Sequence, residues 1–166
     1  MDDYLNQIEM AAKINGLYYL TLGASLTIPD ICGALESADG TATGARYKAW
    51  FDANALPSYR KFLSGEDCYR FRCSFLHQGT TQHPQSSYSR IVFIEPGATS
   101  NVFHLNVIND ALNIDVKRFS LDMVVSAKMW LACVKGKEPY ESNLNKFVRR
   151  YPQGLAPYIG GVPVIS

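Results

Sequence analysis

Residues 68–79 read Cys68-Tyr69-Arg70-Phe71-Arg72-Cys73-Ser74-Phe75-Leu76-His77-Gln78-Gly79. Ser64 and Asp67 precede this run as an N-terminal cap, and Gly79 supplies a C-terminal stop, so the sequence predicts one short helix here. The helix carries two arginines and a histidine. Arginine is a permanently charged donor suited to phosphate, and histidine exchanges protons near neutral pH. This helix is where the sequence indicates chemistry.

The residues of this helix divide into two stripes at about 100° per residue. The apolar stripe contains Cys68, Phe71 and Phe75, and the polar stripe contains Arg70, Ser74 and His77. Arg72 falls close to the apolar stripe. An unpaired buried arginine is very costly, so we expect Arg72 to have an acidic partner or to face a cavity or interface. A purely structural ion pair is the simplest interpretation of such a residue.

The composition bounds the class of protein. The chain has 166 residues, of which 47% are apolar and 19% charged, which is typical of one globular domain. Its net charge of +1 excludes a global electrostatic surface for nucleic acid, so any RNA contact is expected to be a local patch. The acidic start Met1-Asp2-Asp3 differs from a signal peptide, and no apolar run is long enough for a bilayer. We therefore expect a cytoplasmic protein with no membrane partner, whose four cysteines are free thiols.

Apolar periodicity predicts helices over much of the chain. The predicted helices are a long one from the N-terminus to about Leu26, a short one capped by Thr27 with Pro29 in its first turn, a third over 45–54, a buried one opening at Ser120, and an amphipathic one carrying Leu144, Phe147 and Val148. The tail, 152–166, holds three of the eight prolines and is expected to be irregular.

Between the Arg/His helix and the Ser120 helix, the period changes to two. Residues 89–95, 102–108 and 112–118 are rich in Val, Ile and Phe and are separated by turn residues. This pattern predicts a three-stranded antiparallel meander. The expected fold is therefore mainly α (α+β), a helical bundle with this meander inserted at about 89–118, in a single domain spanning 1–166.

The spacing of Arg72 and His77 resembles a known family. Four residues separate this pair, and six separate Arg70 from His77, near the end of a helix in a mainly helical chain. This resembles the HEPN family (higher eukaryote and prokaryote nucleotide-binding domains), whose signature is Arg, four to six residues, then His. The resemblance covers the motif helix and the helical parts to about Arg150. Many active members have a polar residue after the arginine, where this chain has Cys73, and a minimal four-helix member lacks the three-stranded insertion.

The resemblance implies a metal-independent endoribonuclease, or an RNA- or nucleotide-binding relative, that is usually a homodimer whose motif helices frame one cleft. It implies no cofactor. Arg72 would hold the scissile phosphate, and His77 would move a proton to or from the attacking 2′-hydroxyl or the leaving 5′-oxygen. Ser74 would orient His77 or contact phosphate. The expected substrate-binding residues are Arg70, Cys73 and Gln78.

Two other functions remain open. A HEPN-like module without catalysis would serve as a dimerising or nucleotide-binding scaffold, which Cys73 and the near-neutral charge favour. A purely structural Arg72 would instead make the chain an interaction domain. The surroundings of Arg72 discriminate these interpretations: an open cleft shared with His77 favours the nuclease, and enclosure against an internal carboxylate favours the scaffold.

The remaining candidates carry weaker signals. His77, His83 and His104 show no metal-ligand spacing, so we expect no metal site. His83 is expected on a loop surface and His104 on a sheet face. The one compact basic cluster is formed by Lys146, Arg149 and Arg150. It either stabilises a helix C-terminus or contacts phosphate.

Overall fold

The computed structural model describes residues 1–97 and 103–166. Its α-helices are α1 (Asp2–Ala12), α2 (Tyr18–Leu35), α3 (Gly44–Asn54), α4 (Gly65–Gln78), α5 (Val116–Val134) and α6 (Tyr140–Leu144), with a 3-10 helix (Pro57–Lys61) before α4. Within the described residues, the strands β1 (Arg90–Ile94), β2 (Asn106–Ile108) and β3 (Ala111–Asp115) lie between α4 and α5. The mainly helical α+β class is confirmed. The predicted start of the second strand, Val102, lies outside the described residues.

The N-terminal helices differ from the prediction. One long helix to about Leu26 is wrong, because the chain breaks after Ala12 and passes through Gly16 at φ 91°, a conformation that glycine adopts readily. A separate helix capped by Thr27 is also wrong, because α2 continues through Pro29. Thr27 Oγ1 instead donates a hydrogen bond to the Ala24 carbonyl at 2.8 Å. Pro29 is buried with the apolar face of α2, so packing against neighbouring helices offsets the lost backbone hydrogen bond.

The C-terminal third also departs from the prediction. α5 begins at Val116, four residues before Ser120, because the Asp115 side chain accepts a hydrogen bond from the Arg118 backbone at 2.8 Å. α6 ends at Leu144, so the predicted amphipathic helix through Val148 is wrong. The tail is not wholly irregular. It contains β4 (Arg150–Tyr151) paired with β7 (Val164–Ile165), and β5 (Gly154–Leu155) paired with β6 (Ile159–Gly160).

The predicted antiparallel meander is wrong in its topology. The three strands exist, but their order is β1-β3-β2, with β1 parallel to β3 and β2 antiparallel to β3. Asn109 and Asp110 take positive φ and form the tight turn between β2 and β3. Alternating side chains predict that a segment is a strand, but they carry no information on the direction of a partner that is distant in sequence.

The core positions the motif helix. α2 contacts α1, α3, α4 and α5, and α4 lies against both α2 and α3. Phe71 of α4 stacks on Phe93 of β1 with ring centroids 4.8 Å apart, which joins the helix to the sheet. Among the described residues, no helix has the combined length and apolarity that a membrane crossing requires.

Candidate functional site

The two ends of α4 are formed by Ser64 and Gly79, the residues from which the ends were predicted. Ser64 Oγ accepts a hydrogen bond from the Asp67 backbone N–H and donates one to Asp67 Oδ2, each at 3.1 Å. Gly79 ends the helix with φ 65°, in the left-handed region. The helix predicted between Ser64 and Gly79 is therefore confirmed, and it carries Arg72 and His77 near its C-terminal end.

Arg72 has the acidic partner that its position requires. Its Nε donates to Asp30 Oδ2 of α2 at 2.7 Å. The side chains of Arg72 and Asp30 are only 21% and 14% exposed, so this ion pair is half-buried at the contact between α4 and α2. Burial raises the pKa of Asp30, and the neighbouring Arg72 guanidinium opposes that rise. Asp30 therefore fixes one edge of the guanidinium.

The other edge of the guanidinium reaches the surface at His77. Arg72 Nη1 lies 3.2 Å from His77 Nε2, and His77 is exposed. Because arginine only donates, a hydrogen bond between these two atoms requires Nε2 to be the accepting nitrogen of the imidazole. The structure thus aligns Asp30, Arg72 and His77 in one chain of contacts that runs from the interior to solvent.

Two cysteines of α4 lie in different environments. Cys68 is fully buried against Tyr47 Oη at 3.3 Å, and burial raises its pKa to about 12, so it is an inert core thiol. Cys73 is half-buried, with Sγ 4.0 Å from Arg72 Nη1. A hydrogen bond with Cys73 raises the pKa of Tyr69. Cys73 therefore lines the site beside Arg72, and Tyr69 adjoins it.

The remaining predicted site residues are placed differently. Arg70 is engaged by Glu66 at 3.2 Å, by Asp67 at 3.9 Å, and by the carbonyl of Gln85. Ser74 is buried at 2% exposure, and its hydroxyl has no hydrogen-bond partner among the described residues. Gln78 is exposed at the end of α4.

The polar stripe of α4 is therefore not exposed along its whole length, because Ser74 is buried. The segment after Gly79 turns back along the helix, because Thr80 N–H donates to the Ser74 carbonyl and Ser87 N–H donates to Asp67 Oδ1. This segment covers the stripe from Asp67 to Ser74. Only His77, beyond the covered part, keeps the exposure that proton transfer needs.

A pocket of about 260 Å³ adjoins the ion pair. Asp30 lines it from α2, and Lys146 and Asn143 line it from the end of α6. Its apolar wall consists of Ile31, Ala34, Leu35, Ala42 and Phe147. Lys146 thus lies near the candidate site, whereas Arg149 bonds Tyr151 at 2.9 Å and Arg150 belongs to β4.

A second polar cluster lies between the 3-10 helix and α5. Tyr59 Oη donates to Asp122 Oδ2 at 2.9 Å and lies 3.3 Å from His104 Nε2. Burial lowers the pKa of His104 and raises that of Asp122. His104 precedes β2 rather than lying on the sheet. Within 1–97 and 103–166, no three His, Cys, Asp or Glu side chains are grouped to hold a metal ion.

The position of Arg72 in the sequence predicted an acidic partner, a cavity or an interface, but not that the partner is Asp30. The signal was present: Asp30 is the one charged residue of the eighteen in α2, Tyr18–Leu35. A lone carboxylate in an apolar helix needs a partner, as a lone arginine does on an apolar stripe. Comparison with protein-family models, with curated proteins and with solved structures found no match to this chain.

Proposed function

We propose that this chain is a HEPN-like endoribonuclease that cleaves RNA without a metal, with Arg72 and His77 as its catalytic residues. One observation carries the proposal: Arg72 Nη1 and His77 Nε2 are 3.2 Å apart at the surface. A phosphate-binding cation and a proton-transfer group are therefore adjacent. The proposal includes the HEPN-like helical bundle and a cytoplasmic location.

The chemistry follows from the contacts of the two side chains. The scissile phosphate takes the exposed N–H groups of Arg72, which draws Nη1 away from His77 and frees the Nε2 lone pair. His77 then accepts the proton of the 2′-hydroxyl as its oxygen attacks phosphorus. The bond from phosphorus to the 5′-oxygen breaks, and that oxygen takes a proton from solvent. The products are a 2′,3′-cyclic phosphate and a 5′-hydroxyl.

Asp30 acts as a positioning residue in this scheme. Its hydrogen bond to Arg72 Nε leaves Nη1 free to contact His77. A guanidinium held at one edge loses less side-chain freedom when it binds phosphate, so binding is stronger. Cys73 lines the same site, whereas Arg70 and Ser74 are engaged or buried and have no part in the step.

The proposal includes a homodimer, which an apolar surface supports. Tyr19 and Leu20 of α2 are 81% and 71% exposed, and Leu76 of α4 is 38% exposed. Leu76 lies beside Gly23, one turn along α2, because a Cβ at Gly23 would be 3.7 Å from its Cδ2. These three side chains form one patch next to His77, and we propose that a second copy of the chain covers it.

A second candidate function is a catalytically inactive scaffold that binds nucleotides or dimerises. The half-buried Asp30–Arg72 pair favours it, because a carboxylate at 2.7 Å satisfies part of the arginine without any phosphate. The two candidates share the fold and the dimer. They differ in whether bound RNA is cut.

Incubation of the purified protein with mixed RNA in EDTA tests the proposal. We expect cleavage by the wild type and by His83→Ala, a loop histidine that serves as the control, and strong loss in Arg72→Ala and His77→Ala. RNA that is bound but left intact supports the scaffold. Cleavage that survives both Arg72→Ala and His77→Ala unchanged contradicts the nuclease.

A further inference from the structure

We infer that the pocket beside Asp30 binds a guanine base of the RNA, next to the phosphate that Arg72 holds. The inference rests on the proposed function and names the base that the same site recognises. The pocket, of about 260 Å³, lies between the second half of α2, the loop after α2, and the end of α6. A cavity of this volume can hold a small ligand such as one base, but not a stretch of RNA.

The pocket wall has the apolar surface that a base requires. Ala34 and Leu35 form one side, Ala42 closes it from the loop, and the half-buried ring of Phe147 completes it. Phe147 is held edge-on to Tyr4, with ring centroids 6.3 Å apart. Contact between a base and an aromatic side chain stabilises the bound base. Any base would bind this apolar surface favourably, so the surface contributes affinity but does not select one base over another.

Two polar groups in the pocket would select the base. Asp30 accepts a hydrogen bond from Arg72 through Oδ2, and its Oδ1 accepts none from the described residues. Lys146 is exposed, and its Nζ forms no ion pair within 1–97 and 103–166. Asp30 and Lys146 both line the pocket, so it offers an acceptor and a cationic donor. Guanine carries two adjacent N–H donors and the O6 acceptor, whereas uracil lacks an amine and adenine lacks a carbonyl.

Buried hydrogen bonds hold the two sides of the pocket together. Asn143 is buried, and its Nδ2 donates to the carbonyls of Leu35 and Ser37 at 3.1 and 2.7 Å, which holds α6 against the end of α2. Gly40 approaches so closely that a Cβ there would lie 2.6 Å from Asn143 Oδ1 and 3.5 Å from Lys146 Nζ. A preformed wall lowers the entropic cost of binding a rigid base.

Asp30 connects the base pocket with the catalytic pair. One carboxylate oxygen positions Arg72, and the same carboxylate lines the pocket. Because Asp30 both lines the pocket and contacts Arg72, we expect a guanine seated against it to have its own backbone phosphate within reach of Arg72. The inference gives the nuclease a preference for RNA bonds next to guanine.

Titration calorimetry of the full chain with guanosine and uridine tests the pocket without a phosphate. We expect guanosine to bind at least ten-fold more tightly than uridine. Ala42→Trp fills the pocket from an exposed loop position and should abolish guanosine binding. Ala45→Trp, an exposed alanine that does not line the pocket, is the matched control and should bind as the wild type does. Lys146→Met, at an exposed side chain, should remove the preference.

The outcomes separate the pocket from the nuclease. Guanosine binding that Ala42→Trp abolishes supports the pocket even where no RNA is cut. Equal binding of guanosine and uridine overturns the inference, and so does unchanged binding by both Ala42→Trp and Lys146→Met. Cleavage that depends on His77 but shows no preference for guanine also overturns the pocket and leaves the proposed nuclease standing.

Discussion

Arg72 Nε donates a hydrogen bond to Asp30 Oδ2 across 2.7 Å, and this contact joins α4 to α2 at the candidate site. The pair explains why an arginine tolerates a position close to the apolar stripe of its helix. It also divides the guanidinium into an inner edge, held by Asp30, and an outer edge that reaches His77 Nε2 at 3.2 Å. The same contact therefore serves stability and the proposed chemistry.

The Asp30–Arg72 pair should give a measurable coupling energy in the free energy of unfolding. Replacing one partner leaves the other half-buried and unpaired. We therefore expect Asp30→Leu or Arg72→Met alone to lower the free energy of unfolding by about 1–3 kcal/mol. The double variant should cost less than the sum of the two. Urea denaturation of the four proteins gives the coupling energy.

An exposed ion pair provides the control for that cycle. Lys135 and Asp2 are 3.0 Å apart, but their side chains are mostly exposed. The cycle with Asp2→Asn and Lys135→Met should give a coupling of about 0.5 kcal/mol or less. Equal coupling energies for the two pairs would contradict the structural role assigned to Asp30.

The His104 cluster should make stability depend on pH. Burial lowers the pKa of His104 below its ordinary value, so the unfolded chain binds this proton more readily than the folded one. Stability should therefore fall as the pH decreases below about 6.5 toward the lowered pKa of the folded state. We expect His104→Gln to flatten the fall and His83→Gln to leave it unchanged, in urea denaturation repeated between about pH 7.5 and 5. An identical slope in the His104 variant would refute the assignment.

Gly65, the first residue of α4, should not tolerate a side chain. A Cβ there would collide with the Lys48 carbonyl of α3 and would lie 2.9 Å from Asp52 Oδ2, which belongs to the carboxylate that accepts the Gly65 N–H. Gly65→Ala should cost about 1–3 kcal/mol by overpacking. Gly160→Ala has nothing within 4 Å of its Cβ and serves as the control. Similar melting temperatures for the two variants would show that α3 and α4 are packed less closely than the structure describes.

The apolar patch at Tyr19, Leu20 and Leu76 should control the oligomeric state. Leu20→Glu puts a charge into the proposed interface without touching the core, so we expect it to convert a dimer into a monomer. Met129→Glu, at an exposed position of α5, should remain dimeric. Light scattering coupled to size exclusion measures both. A monomeric wild type, or a Leu20 variant that stays dimeric, rules out this interface.

The sequence predicted the elements whose ends are encoded locally. Ser64 and Gly79 bounded the motif helix correctly, because a capping side chain and a left-handed glycine act on their own neighbours. Pro29 misled the prediction in α2. Its local signal for a helix start was overridden by tertiary packing, which buries one face of that helix from Thr21 to Leu35.

Local signals of this kind could not predict that β1 pairs in parallel with β3. They also could not predict that Asp30 is the partner of Arg72. Both depend on which distant segments meet, and a single sequence gives only the requirement for a partner. The burial of Ser74 has the same cause, since the segment that covers it returns from beyond Gly79. The candidate site was thus located by spacing, but its surroundings required the three-dimensional structure.

The most direct measurement is the single-turnover cleavage rate of one end-labelled RNA in EDTA, with the wild type, His77→Ala and His83→Ala compared. Loss of a general base usually costs about 10²–10⁴ in rate, so we expect a fall of that size for His77→Ala and none for His83→Ala. The cut should leave a 2′,3′-cyclic phosphate. A rate that is equal in all three proteins, or a wild type that leaves the RNA intact, would contradict the proposed nuclease.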